Sequence, residues 1–228
     1  MTRPYVQLSV AASLDGYIDD TSPDRLMLSN TADFDRVDQL RADSDAILVG
    51  AETLRRDNPR LIVKDEQRRA ARVAEGKPST PVKVTVTASG DLDPDLKVWH
   101  HGVDRTPIVY SAATGAEKAR QRLGDLADVV ALGDDIEFAD LLDDLGGRGI
   151  ARLMVEGGGH IHTAFLAAGL VDELLLAVAP ILVGDAGAPK FVHPARFPGG
   201  PTRRMRLVDT TQLGDVAVLR YRPKEISQ

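Results

Sequence analysis

The sequence predicts an α/β protein with a mixed, mostly parallel sheet, and three observations lead there. Short apolar runs, such as DAILVG at 45–50 and VKVTVT at 82–87, alternate with helically patterned segments through most of the chain. One stretch, LMVEGGGHIHTAFLAAGL at 153–170, passes from strand through three glycines into a helix. The last two β-forming segments meet at Gly214-Asp215, which predicts an antiparallel hairpin at a sheet edge. With 228 residues and 43% apolar content the chain has enough material for a full core. It is expected to be a single domain over 1–228.

Taken in order, Tyr5–Leu14 reads as a first, central strand that ends in the turn Leu14-Asp15-Gly16, where glycine supplies positive φ. Tyr17-Ile18 resumes an extended segment. Asn30 and Thr31 cap a helix over about 33–42, with Phe34, Val37 and Leu40 expected on its buried stripe. Residues 45–50 form a compact strand. A short helix begins at Ala51 and breaks at Asn58-Pro59, after which Leu61-Ile62-Val63 is expected to be extended. The charged stretch 64–77 is an exposed helix or loop. Val82–Thr87 alternates as a strand, and 88–105 is a loop carrying Trp99, His100 and His101. A strand at 107–111, a polar helix at 115–126 and a strand at 129–132 follow. A helix at 138–145 is closed by Gly146-Gly147. After the glycine stretch, with Ile161, Ala164, Phe165, Ala168 and Leu170 as its apolar stripe, 173–183 is a long apolar segment interrupted by Pro180, which predicts a bulge or an end of the strand there. Met205–Leu213 and Asp215–Tyr221 make the hairpin.

Composition excludes several classes of function. The net charge of −6 argues against a general nucleic-acid binder. With no cysteine, disulfides, thiolate catalysis and zinc–cysteine sites are out. The five histidines do not form a metal set, and His160 and His162, two apart, do not share a helix face, so no metal is expected. No apolar run approaches the ~20 residues of a membrane span. The N-terminus has no secretory core, which reads as a cytoplasmic protein.

The strongest chemical signal is the glycine stretch. A strand, a glycine turn and a helix N-terminus present free backbone N–H groups and the positive end of a helix dipole, and so bind phosphate without a cationic side chain. Gly157, Gly158 and Gly159 let a pyrophosphate approach the main chain, and Glu156 sits at the strand's C-terminal end, where α/β sheets place functional groups. The same stretch also fits a tight connection without a ligand. Thr53 and Asp57, four apart, face one side of a helical turn and offer a hydroxyl and a carboxylate, or serve as a local cap. Arg41 and Lys64 are anion contacts if they converge. Asp15 is either a turn residue or a site residue.

ASLDG (12–16), LRADSDAILVGAETLRRDNPRL (40–61), VEGGG (155–159) and LVDELLLAVAPILVG (170–184) occur in one order along nearly the whole chain. Together they resemble the pyrimidine reductase domain of riboflavin biosynthesis, whose three-layer fold is like that of dihydrofolate reductase. The resemblance implies an NADPH-dependent, homodimeric reductase that converts the ribosyl group of a diaminopyrimidine 5′-phosphate to ribityl. By position, Thr53 and Asp57 would contact the cofactor, as would Gly157, Gly158, Gly159, His160, Ile161, His162, Thr163 and Ala164. Thr87, Ala88 and Ser89 would meet its adenosine side. Arg41, Leu61, Lys64, Glu156 and Asp15 would line the substrate site, with Glu156 as the candidate catalytic group. The chain departs from the family pattern at Ser9, where many members carry lysine, and at Arg25 and Met27, where serine and tryptophan are common. Lys64 replaces an arginine and so lacks the bidentate fork. The deaminase domain often fused to this reductase has no counterpart in these residues. Three other readings stand beside this one: a dihydrofolate-type reductase using Asp33 or Asp35, an NADPH reductase of another imine or carbonyl, and a nucleotide-binding protein without turnover.

Overall fold

The computed structural model describes residues 3–200 and 204–224. The chain divides into two compact units, one of residues 1–4 and 38–154 and one of 5–37 and 155–228. Among the described residues nine strands pair in a mostly parallel mixed order, and β6 (Arg152–Gly157) is counted in both units because the division falls between Met154 and Val155.

In the first unit the strand order is β5-β4-β3-β2-β6, comprising β2 (Ala46–Gly50), β3 (Val82–Thr87), β4 (Ile108–Ser111), β5 (Asp128–Ala131) and β6. The pairs β2–β3, β3–β4 and β4–β5 are all parallel. Helices α2 (Ala51–Asp57), α3 (Glu66–Ala74), α4 (Ala113–Leu123) and α5 (Phe138–Gly147) connect them. The core gathers Ile47, Val49, Leu54, Leu92, Val109 and Ala119, all buried. Every residue of β3 is buried, Lys83 and Thr85 included. The alternation of VKVTVT therefore marks a strand covered on both faces, in which polar side chains are buried because they find acceptors. Lys83 Nζ donates to the carbonyls of Val98 and His101, pinning the loop at 97–101, and Thr85 Oγ1 donates to Val49 O at 2.9 Å. Burial pushes the Lys83 ammonium down to about 8 against the opposing charge of Asp104.

The second unit has the order β6-β1-β7-β9-β8, with β1 (Tyr5–Ser13), β7 (Glu173–Ala179), β8 (Arg206–Leu213) and β9 (Val216–Arg222). β1 and β7 are parallel, in register from Gln7–Glu173 to Ser13–Ala179, and β7–β9 and β9–β8 are antiparallel. The hairpin turns at Gly214, φ +63°, as its sequence predicts. Glu173 is fully buried, yet Gln7 Nε2 and the Nε atoms of Arg220 and Arg222 all donate to it within 2.9 Å. Its carboxyl would be raised by burial, and these donors hold it below the ordinary glutamate value instead.

Several expectations are corrected. Helix α1 (Thr31–Asp43) forms with Asn30 Oδ1 accepting from Asp33 N, but Phe34 is 40% exposed and the buried positions are Asp33, Asp38 and Ala42. Polarity does not expel these aspartates because each has a charged partner, although Asp33 Oδ2 is buried without a hydrogen bond. Asp33 takes the Arg36 guanidinium at 2.7–2.8 Å, and Asp38 accepts from the N–H groups of Lys64 and Asp65 and from Arg68. Leu61 is left-handed, φ +50°, and 61–63 is not a strand. The charged stretch holds helix α3, capped by Asp65 accepting from Arg68 N, and its Arg72 is buried by donating to the carbonyls of Ala42, Ser44 and Pro78. Gly146 and Gly147 lie inside α5, whereas β7 ends at Ala179, the end that Pro180 predicts. Ala168 is exposed beyond the end of α6 (Gly159–Ala167).

Candidate active site

In the second unit the glycine stretch folds as its pattern demands. β6 runs through Glu156 to Gly157, Gly158 turns the chain at φ +94°, and α6 begins at Gly159. The left-handed φ at Gly158 strains any L side chain, which is why glycine stands there. Glu156, the last half-exposed side chain of β6, is at the strand's C-terminal end. His162 N donates to Gly158 O at 3.0 Å, closing the first helical turn. The N–H groups at the helix start, from Gly159 to Ile161, have no acceptor one turn back within the helix, and this is what an anion uses.

The same turn is packed from outside by residues 190–193, an arrangement that no local sequence signal announces. A Cβ at Gly159 would overlap the carbonyl oxygen of Lys190 and lie 3.0 Å from His193 Nε2. Thr163 Oγ1 donates to Gly159 O at 2.6 Å and accepts from His193 N at 2.8 Å. His160 is exposed, and its ring stacks on that of His193 with centroids 4.1 Å apart and planes 19° apart. His162 points the other way. It is 1% exposed, and its Nδ1 lies 3.1 Å from Phe191 O. Burial drives its imidazole down to about 4, with the carbonyls of Phe191 and Glu156 pulling weakly upward, so the ring is neutral near pH 7. Of the eight cofactor residues assigned to 157–164, the side chains of His162 and Thr163 are therefore committed to holding loop and helix together, and Ile161 is in the core. Of the others, His160 is exposed, Gly158 and Ala164 are half-buried, and Gly157 and Gly159 are buried.

Asp15 is also committed. It accepts from Ser13 Oγ at 2.6 Å and from the N–H groups of Val183 and Gly184, and the Ser13 bond with these amides lowers its carboxyl to about 2. The geometry makes it a clamp between the β1 turn and the 183–184 loop.

In the first unit, Arg41 and the 61–64 segment come together. Arg41 Nη1 donates to Ile62 O at 3.2 Å, and Asp38 holds the N–H of Lys64 at 2.6 Å. Leu61 is buried and the Lys64 side chain is exposed, so two cations flank one short segment. Thr53 and Asp57 lie one turn apart on α2, both half-exposed, and Asn58 ends that helix in the left-handed region at φ +41°. Thr87 is buried at the end of β3, its Oγ1 accepting from Gly90 N, while Ala88 and Ser89 are exposed. The turn is held close to α4, since a Cβ at Gly115 would overlap the Ala88 carbonyl oxygen. Of the two carboxylates considered for a pterin, Asp33 is fully buried against Arg36 and Asp35 is exposed. Among the described residues no group of three or more His, Asp or Glu could hold a metal ion, and no helix is long and apolar enough to cross a membrane.

Comparisons with known proteins place this architecture. A family model described as the RibD C-terminal domain matches residues 4–219. The 2,5-diamino-6-ribosylamino-4(3H)-pyrimidinone 5′-phosphate reductase of Archaeoglobus fulgidus is 38% identical over 188 residues, covering 82% of this chain and 85% of the relative. Riboflavin biosynthesis protein RibD of Bacillus amyloliquefaciens is 32% identical over 97% of this chain. The chain spans only 58% of that protein's length. Among solved structures, form 1 of Acinetobacter baumannii RibD superposes with a TM-score of 0.80 at 27% identity, over 98% of this chain and 59% of that one. A pyrimidine reductase-like protein of Corynebacterium diphtheriae, at 24% identity and a TM-score of 0.77, covers 97% of this chain and 92% of its own, and shares the fold. The chain belongs to the RibD C-terminal domain family.

Proposed function

We propose that this chain is an NADPH-dependent reductase acting on 2,5-diamino-6-ribosylamino-4(3H)-pyrimidinone 5′-phosphate or its deaminated counterpart, reducing the ribosyl group to ribityl in riboflavin biosynthesis. The observation that carries the proposal is the run Glu156–Gly159, a strand-end carboxylate leading through a left-handed glycine into a helix N-terminus. Support comes from relatives at 33–38% identity over most of the chain that are named for this reduction. We read the chain as one reductase domain over 1–228, acting as a homodimer in the cytoplasm.

The reaction needs a hydride donor and an electrophilic carbon held at near contact, and reduced nicotinamide supplies the hydride. The helix start at Gly159 offers N–H groups to the cofactor's phosphate. Thr53 and Asp57 offer a hydroxyl and a carboxylate to its polar groups, and Ala88 and Ser89 lie toward its adenosine side. Arg41 and Lys64 hold the substrate's phosphate beside Leu61. Opening of the ribosylamine gives a C=N group, and protonation at nitrogen makes it a better hydride acceptor. Glu156 orients the sugar or assists that proton transfer.

The test is loss of NADPH absorbance with each of the two phosphorylated pyrimidines, with the product identified chromatographically. Ribityl product from either one supports the assignment. NADPH binding without oxidation by either refutes the substrate.

A further inference from the structure

The proposed function uses the start of α6 but leaves unexplained why two histidines are stacked there. His160 belongs to the first helical turn, whereas His193 arrives from a loop thirty-odd residues on, and the two imidazoles meet face to face. The loop is also built onto the turn rather than resting near it. Thr163 Oγ1 ties His193 N to the helix, the carbonyl of Lys190 occupies the space of the missing Gly159 side chain, and His193 Nε2 is 3.0 Å from that same position. His162 pins the loop from below through Phe191 O. The two rings are thus preorganised beside the N–H groups of the helix start.

Resting on the cofactor reading above, we propose that His160 and His193 form a proton-dependent phosphate clamp for the nucleotide cofactor, His193 being a binding residue that the sequence pattern does not mark. Face-to-face imidazoles resist carrying two positive charges, and a phosphate dianion at the helix start removes that resistance by drawing protons onto the pair. Burial and the charge of His160 both lower His193 from its ordinary value, so burial beside His160 favours the neutral form of His193. The other titratable groups on the elements packed there are Glu156 at the end of β6, the buried neutral His162 and Lys190, whose Nζ lies 5.1 Å from the centre of the Tyr17 ring. Phosphate binding then takes up a proton, and affinity falls as pH rises through the imidazole range.

The experiment is calorimetric titration of the full chain with NADPH and with NADH at pH 6 and pH 8, for wild type, His193→Phe and His160→Phe. Phenylalanine keeps the ring stack and removes the nitrogens, and thermal melts identify any variant that fails to fold; His193→Gln then takes its place. A cofactor phosphomonoester titrates with a pKa of about 6, so the informative quantity is the difference between wild type and variant. The expected result is a Kd ratio between pH 8 and pH 6 about tenfold larger for wild type than for either variant, one unit of induced pKa shift being a factor of ten. If NADH shows the same excess, the clamped group is the pyrophosphate, and if only NADPH shows it, the group is the 2′-phosphate. Equal pH dependence in wild type and variants overturns the clamp and leaves the cofactor reading intact. Absence of NADPH binding at both pH values overturns the two together.

Discussion

Gly159→Ala is the substitution that probes most sharply how the loop and the helix start depend on each other. Gly159 is not in the left-handed region, so alanine is sterically acceptable to the backbone, and as a helix former it should gain up to about 1 kcal/mol. The surroundings reverse that sign. The new methyl group would lie 3.0 Å from His193 Nε2 and closer still to the Lys190 carbonyl oxygen, which is backbone and cannot swing aside. Overpacking of this kind costs about 1–3 kcal/mol. Net destabilisation of about 1–2 kcal/mol is expected, which for a chain of this size is a Tm drop of roughly 2–8 °C. Because the strain is released by moving 190–193 away from the turn, the NADPH Kd should rise several-fold at the same time. Gly149→Ala is the control. That residue has φ +83° with nothing near its missing side chain, so it should lose about 1–2 kcal/mol of stability with no change in Kd. A Gly159→Ala protein that melts and binds like wild type would refute the account of this turn.

Three further outcomes are expected. Asp15→Asn should lower Tm at pH 7 by weakening the clamp on Val183 and Gly184. Because the folded carboxyl sits at about 2, below its ordinary 3.8, the wild type's advantage should be present above pH 4 and shrink as pH falls toward 2, read by melts across that range. His162 has a signature of the same sign at higher pH. Its folded value of about 4 lies below the ordinary 6.5, so wild-type stability should fall as pH drops from 6.5 through 4, and His162→Phe should show a flatter profile there. Thr53→Val and Asp57→Asn should raise the KM for NADPH by about tenfold, the loss of one hydrogen bond to cofactor, while thermal stability stays within about 0.5 kcal/mol of wild type. An unchanged KM would remove both residues from the cofactor site.

Much of the fold was legible in the sequence. Element order, the strand–glycine–helix unit and the terminal hairpin follow from periodicity and glycine placement, because these are local properties of the backbone. The failures share a cause. Periodicity puts Phe34 on the buried face of α1, but the structure buries Asp33 and Asp38 there, held by partners 3 and 26 residues away, the Arg36 guanidinium on Asp33 Oδ1 and the Lys64 N–H on Asp38. Arg72 and Lys83 are buried for the same reason, through carbonyls that periodicity cannot foresee. In the candidate site, the glycine turn and the Thr53–Asp57 spacing were readable. His193 was not, since its place depends on a loop packing against Gly159 from thirty-odd residues away. The one available hint was a glycine at a helical position, where alanine would otherwise be preferred.

The measurement that bears most directly on the central claim is the fate of the hydride. NADPH carrying deuterium at the reactive nicotinamide position would be turned over with the diaminopyrimidine ribosyl phosphate, and the product examined by mass spectrometry and NMR. The account predicts one deuterium, bound to the sugar carbon attached to nitrogen, in a ribityl product. Deuterium elsewhere, or an undeuterated product, would contradict it.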